Sequence, residues 1–556
     1  MKSRILIALG LPFLAVAANS AIAQNATSSA PVEAVKPRAG AVPAPARKSG
    51  EGLGPFRKMV IRGVTLIDGS GAPPRGPVDI VIENNVIADI LPAGTPGLTM
   101  VQGRTPRDAD YELDATGMYM MPGFIDMHVH GSTDDKAPDL SYSYKLWLAH
   151  GVTTVRGVDL APLEVSLSER ARSARNEIVA PRIFAYQRPG QGKGWTGGRT
   201  NTPARARAWV QWAAKQGIDG IKLLDDPDQP PEVMEAIFDE AKKLKLGTTA
   251  HLSQLGVGRM NAEQAGEAGL GTITHFYGHF ESMMKNGQVQ NWPADYNYAD
   301  EQDRFGNVAN LAYESVEPGS EPWQTYLEHQ KASHVTFDPT MTIYAAGRNL
   351  MEARNADWHD KYTMPQLWNF FQSSRINHGS YFYDWTTAIE VKWRNFYHKY
   401  MNLVNDYKNI GGRVVVGTDS GFIYKVYGFG FVQEMELLQE AGFNPSQVLQ
   451  SATLNGALTL YDPRGEIPPI GTVRVGKLAD LVIVKENPLQ NFKTLYGTGT
   501  PRLNEQTQKL ERVGGVSYTV KDGIVYDAKQ LLAEVAEMVV AEKRRMGMPE
   551  QGVPRP

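Results

Sequence analysis

The 556-residue sequence predicts an α/β protein: a distorted (β/α)8 TIM barrel with a small composite β-sandwich formed by both ends of the chain. Three observations predict it. Eight short β-rich runs alternate with longer helical or irregular segments, the pattern of a parallel sheet with crossover helices. Strand-like runs flank that region on both sides, at Met59 to Ile67, Val78 to Glu83 and Val86 to Ile90 before it, and at Leu478 to Val484 and Val516 to Asp527 after it. Finally, polar residues recur at the ends of the apolar runs, where barrel enzymes build their sites.

In chain order, Met1 to Ala23 has basic Lys2 and Arg4, the apolar run Ile5 to Ala17, and Ala21 and Ala23 flanking Ile22. This is the layout of a cleaved secretory signal, too short in its apolar part to span a membrane. A periplasmic or secreted protein is therefore expected, with no membrane association after signal removal. Residues 24–56 are rich in Ala, Pro, Ser and Lys without periodicity and read as a flexible tether. Residues 57–121 and 469–527 form the two parts of the sandwich, with hairpin turns at Asn84-Asn85 and Asp522-Gly523.

The barrel spans residues 122–468. Its eight runs are Pro122 to His130, Val152 to Arg156, Arg182 to Tyr186, Ile218 to Leu224, Gly247 to His251, Gly271 to His275, His334 to Asp338 and Arg413 to Asp419. Pro231 to Leu244 is a helix between them, with Val233, Ile237 and Leu244 on one side. Two connections, 276–333 and 339–412, exceed the usual length, and the second is dense in aromatics. They read as a lid or substrate wall, or as an insertion with its own core. Val432 to Glu440 and Ser446 to Tyr461 read as helices, and residues 528–556 as a packing helix capped by Asp527 and a tail, with an oligomer contact as its other use.

Net charge of −3 with 21% charged residues argues against a nucleic-acid partner and for a small-molecule one. The chain has no cysteine, which removes disulfides, thiolate metal sites and lipid attachment to cysteine. A metal would have to use His, Asp, Glu or something unusual. His128 and His130 stand two apart on a strand and so point the same way. Lys222 lies in the fourth run, while His251, His275 and Asp419 close the fifth, sixth and eighth. Buried charges of this kind are unfavourable unless paired or metal-bound, and a shared cation on one rim is the simplest account.

With Pro122-Gly123-Phe124-Ile125-Asp126-Met127-His128-Val129-His130, Asp219-Gly220-Ile221-Lys222, Ala250-His251, Thr274-His275 and Gly417-Thr418-Asp419-Ser420 in order, the chain resembles the amidohydrolase superfamily from about Met59 to Tyr526. Its branch resembles proline dipeptidases and imidazolonepropionase relatives. The resemblance implies two divalent metals, zinc by default. His128 and His130 would hold one and His251 and His275 the other, with Lys222 bridging them as a carboxylated lysine. Asp419 would be the last ligand and the proton carrier. The implied reaction is hydrolysis of a C–N bond by activated water, with dipeptides and N-acyl amino acids as expected substrates. A metal-dependent esterase or lactonase, or a cyclic-amide hydrolase, is the alternative, and a non-catalytic periplasmic binding protein the remote one.

Other readings stay open for single residues. Lys222 has Asp225 and Asp226 as possible ion-pair partners, leaving one metal, while Asp419 has a capping role available in its turn. Asp126 reads as an orienting or packing residue. His279 faces either the site or solvent. Arg188, Lys193 and Arg199 in the loop after the third run are candidate carboxylate clamps, where relatives often carry a histidine. Tyr277 and Tyr344 are candidate oxyanion donors.

Overall fold

The computed structural model describes residues 40–553 except 225–228, 254–255, 286–289 and 376–377. Met1 to Ala23, residues 24–39, Asp225 and Asp226 therefore lie outside the described residues. Among the described residues no helix is long and apolar enough to cross a membrane.

The strands in chain order are β1 (Lys58–Leu66), β2 (Arg75–Glu83), β3 (Val86–Pro92), β4 (Tyr111–Asp114), β5 (Tyr119–Pro122), β6 (Phe124–Val129), β7 (Val152–Val158), β8 (Arg182–Gln187) and β9 (Gly220–Leu224). They continue with β10 (Gly247–His251), β11 (Thr272–Thr274), β12 (Thr336–Asp338), β13 (Arg413–Val414), β14 (Leu481–Val484), β15 (Thr500–Asn504), β16 (Lys509–Val513), β17 (Val516–Lys521) and β18 (Ile524–Asp527). Strands β6 to β13 form one parallel sheet in sequence order, as alternating β and α segments demand. The sheet curls until its ends meet: Met127 N donates to Val416 O and Asp419 N to His128 O, at 2.9 and 2.8 Å. The eighth run is regular strand only over Arg413–Val414, yet residues beyond it still bond β6 and β12.

A second eight-stranded sheet has the order β18-β17-β14-β5-β1-β2-β3, with β4 also on β1. Both ends of the chain therefore meet in it, as the sequence predicts. Its turns at Asn84-Asn85 (φ 46° and 69°) and Asp522-Gly523 (φ 49° and 75°) have the left-handed conformation of two-residue hairpins. Met59, Ile61, Leu481, Ile483 and Val520 share its core. Strand β5 passes into β6 through Gly123, where a Cβ would lie 2.0 Å from Thr153 Oγ1.

Residues 40–56, assigned by composition to a flexible tether, are packed instead. Ala44 is 3% exposed and its N–H donates to Glu169 Oε2 at 3.1 Å. Leu53 exchanges backbone hydrogen bonds with Val525, and Lys145 reaches Glu51 at 3.0 Å. Docking here uses backbone groups and isolated side chains, which leave no periodic trace in sequence. Ser446 to Tyr461 is likewise two helices, Pro445–Ala452 and Leu454–Tyr461, broken where the Thr453 hydroxyl donates back to Leu449 O at 2.6 Å. The helix Ala528–Arg545 is capped by Asp527 and buries Leu531, Leu532, Val535 and Val539, as expected of a packing helix.

The two long connections both rise from the C-terminal ends of strands and interlock. Arg375 pairs with Asp300 at 2.7 Å, His378 with Glu301 at 3.1 Å, and Phe305 stacks on Tyr381 at 4.4 Å. The helix Thr387–Asn409 buries Trp393, Phe396, Tyr400 and Tyr407, and Tyr407 stacks on Phe337 of β12 at 3.7 Å. The aromatics form a core, as one of the two sequence readings has it.

Ala44→Arg places a charge in a closed contact and should cost about 1–3 kcal/mol, seen as a lower melting temperature. An unchanged melting curve would contradict the docking of residues 40–56.

Candidate active site

Alternation along β6 separates two jobs. Ile125 and Met127 pack with Phe184, Val415 and Leu460, whereas His128 and His130 turn toward Asp419. His130 Nε2 lies 3.3 Å and His128 Nε2 3.8 Å from Asp419 Oδ1, and His275 Nε2 lies 3.8 Å from Asp419 Oδ2. The ligand atoms of His128, His275 and Asp419 all fall within 4.8 Å of one another, a grouping able to hold a metal ion. The His251 ring closes the circle, 4.6 Å from that of His275. Lys222 is 1% exposed on β9, and its Nζ has no hydrogen-bond partner among the described residues.

Burial sets the protonation states. It holds the imidazoles of His128, His251 and His275 well below the usual range, so each keeps a lone pair at neutral pH. Burial, with Arg188 acting the same way, pushes Lys222 down to about 7 against the pull of Asp419. For Asp419 burial acts upward, but the histidines around it outweigh that and keep it an anion. Asp419 and His275 both have left-handed backbones, φ 53° and 66°, a strained choice for such residues.

Neighbouring groups fix these rings. The Thr340 hydroxyl donates to Pro339 O at 2.8 Å and so accepts from His275 Nδ1 at 2.6 Å, which leaves the His275 Nε2 lone pair facing Asp419. Asp126 accepts from His128 N, Thr418 N and the Thr418 hydroxyl at 2.8 to 3.2 Å. It is an orienting residue that ties β6 to the turn bearing Asp419.

Two site residues went unassigned in the sequence. Asp338 Oδ2, at the end of β12, lies 3.4 Å from His128 Nδ1 and accepts from Arg156 at 2.9 Å. Arg156 also donates to Met127 O at 2.6 Å and to the Thr272 hydroxyl at 3.0 Å. A Cβ on Gly417 would lie 2.0 Å from Asp338 Oδ1, so the glycine makes room for this carboxylate. The available signal was the one that found Lys222 and Asp419, a charge in an apolar run.

The softer candidates separate. His279 is buried against Tyr326 and Phe337, with burial pushing it down to about 3, so it is a core residue rather than a site or solvent one. Arg188 is paired with buried Asp159 at 2.6 Å, while Lys193 and Arg199 lie exposed on the loop. Tyr277 is buried and lies 4.8 Å from the His251 ring. Tyr344 meets His275 edge-on at 5.6 Å.

Residues 119–525 match the profile of the amidohydrolase family. No curated protein matches the chain. Among solved structures it is similar to a Xaa-Pro dipeptidase with bound methionine in the active site, at TM-score 0.55 and 20% identity over 84% of this chain and 100% of that one. It is also similar to a bottromycin amidohydrolase, at TM-score 0.58 and 20% identity over 89% and 92%, and to the A. niger ochratoxinase, at TM-score 0.53 and 16% identity over 85% and 96%. At these identities the likeness is one of fold.

Removing the carboxylate behind His128, in Asp338→Ala, should weaken metal binding about 10- to 100-fold in competition with a chelator. Unchanged affinity would show that the contact does not orient a ligand.

Proposed function

The chain belongs to the amidohydrolase family, hydrolases of carbon–nitrogen bonds, and on that footing we propose that it is a metal-dependent enzyme cleaving amide bonds in dipeptides or N-acyl amino acids. One observation carries the proposal: three histidine Nε2 atoms lie 3.3 to 3.8 Å from a single carboxylate, Asp419. A Xaa-Pro dipeptidase and a bottromycin amidohydrolase among its structural relatives support an amide substrate.

The donor set fits a cation. Neutral imidazoles, an anionic carboxylate and an amine pushed down to about 7, with no hydrogen-bond partner among the described residues, supply lone pairs without burying further positive charge. In our reading His128, His130, Lys222, His251, His275 and Asp419 are the residues that would hold divalent metal, with two zinc ions as the expected complement. When bound, such ions polarise the scissile carbonyl and make water more acidic. Lys222 contributes as a free amine whose Nζ bonds the carbon of CO2 and releases one proton, exchanging a repelling ammonium for a carboxylate. Asp419 takes a proton from the attacking water and returns it to the leaving nitrogen as the C–N bond breaks. The Tyr277 hydroxyl donates to the oxyanion that develops on the carbonyl. The layout of Met1 to Ala23 supports export to the periplasm or medium.

The test is amine release from a library of dipeptides and N-acyl amino acids by metal-supplemented protein. Asp419→Asn and Lys222→Ala are each expected to lower kcat by at least about 100-fold. No amine from any member would overturn the amide reading and turn attention to esters and lactones.

Metal loading should also follow Lys222. Below pH 7 its ammonium repels cations and cannot add CO2; above pH 7 the free amine can. Reconstitution of metal-stripped protein should therefore rise through pH 7 and be promoted by bicarbonate in wild type but not in Lys222→Ala. A flat pH response would remove the carboxylated lysine from the mechanism.

A further inference from the structure

Where the barrel opens to solvent is decided by very few side chains. From Met120 to Ser132 every residue but His130 is buried, and from Val414 to Val432 every residue but Asp419 and Phe422. Two of these three belong to the candidate metal-ligand cluster. The third, Phe422, has its ring centroid 5.7 Å from that of His130, with the two rings nearly perpendicular. A half-buried phenylalanine therefore stands beside the cluster on the side left open.

The backbone is strained where it carries this ring. Ile423 and Tyr424, the next two residues, have φ of 47° and 61°. The left-handed region is uncommon for any residue with a Cβ and a genuine outlier for a β-branched one such as Ile423. Such conformations persist only where the surroundings over-determine them, and they cluster at functional sites. Here Ile423 N donates to Gly379 O, Lys425 N to Phe422 O and Gly421 N to Lys425 O, each at 2.9 Å, while the Ile423 and Tyr424 side chains are buried. The ring itself is pinned. The Lys136 ammonium lies over it, 3.6 Å from its centroid, and Phe370 and His378 of the second insertion meet it at 5.7 and 5.6 Å.

In the mechanism above Asp419 returns a proton to the leaving nitrogen, so the amine half of the substrate lies against Asp419. Phe422 follows Asp419 by three residues and borders His130, which of the three histidines lies nearest that carboxylate, at 3.3 Å. The surface beside the amine half is thus aromatic.

We propose that Phe422 is a specificity-determining residue whose ring receives the side chain of the amino acid on the nitrogen side of the scissile bond, so that the enzyme favours a large apolar residue there. This rests on the amide-hydrolase reading above and adds a preference to it. A ring already held in place gains apolar contact without the cost of being ordered first. Glycine at that position of the substrate gives it nothing to cover.

The experiment measures kcat and KM on two sets of substrates. In the first, glycine, alanine, leucine or phenylalanine varies on the nitrogen side of an N-acetyl or glycyl group; in the second, the same residues vary on the carbonyl side of glycine. Wild type should favour phenylalanine over glycine on the nitrogen side by on the order of 10- to 100-fold in kcat/KM, mainly through KM. Phe422→Ala should bring that ratio to within about threefold of unity, Phe422→Leu should keep part of it, and the carbonyl-side ratio should stay as in wild type. A general loss of structure would instead lower every substrate by one factor. Absence of a nitrogen-side preference in wild type, an equal fall on the glycine and phenylalanine substrates in Phe422→Ala, or a change confined to the carbonyl-side set would each overturn the assignment while the amide reading stands. Absence of any amide cleavage would overturn the amide reading itself, and this preference with it.

Discussion

A guanidinium inside a parallel sheet has to be answered by acceptors, and the answers found by Arg156 hold the molecule in one arrangement. From β7 it donates to the backbone of β6, to Thr272 on β11 and to Asp338 on β12, drawing together strands that are far apart in the sheet order. Loss of one partner of a buried ion pair typically costs about 3–5 kcal/mol. Asp338 in turn touches the far nitrogen of His128. The charge that braces the interior and the carboxylate that sets a candidate ligand ring are therefore one network. Gly417 belongs to it, since any side chain there would displace Asp338.

The same burial has opposite chemical consequences at neighbouring residues. Imidazoles and the lysine are pushed toward their neutral forms, while Asp419, ringed by histidines, remains charged. Such a set is poor at holding itself together by ion pairs and good at receiving a cation. The left-handed backbones of His275 and Asp419 fit this picture. The hydrogen bonds from His275 to Thr340 and from Asp419 N to His128 O hold these residues in place and offset the strain.

Much of this was legible in the residues. Period-two alternation placed His128 and His130 on one face, and single charges in Val-rich runs exposed Lys222 and Asp419. The hairpin turns showed that the second sheet joins both ends. Arg156 and Asp338 sent the same signal but acquire a role only when the sheet curls and brings β7 opposite β12, a relation carried by no local pattern. Residues 40–56 dock through backbone hydrogen bonds and isolated contacts, which composition does not register. The break at Thr453 depends on one hydroxyl turning back to a carbonyl.

The division of labour between barrel and insertions follows from how each is held. Barrel residues are fixed by strand register and, at Asp419, by the backbone bond to His128 O. The insertions are fixed by side chains: the Arg375–Asp300 pair, the Phe305–Tyr381 stack and the seat of Tyr407 on Phe337. The two insertions contact each other, and the second is seated on β12, the strand that also supplies Asp338. Phe337, on which Tyr407 is seated, is the sequence neighbour of the carboxylate behind His128, so the insertion core and the candidate site are anchored on one strand.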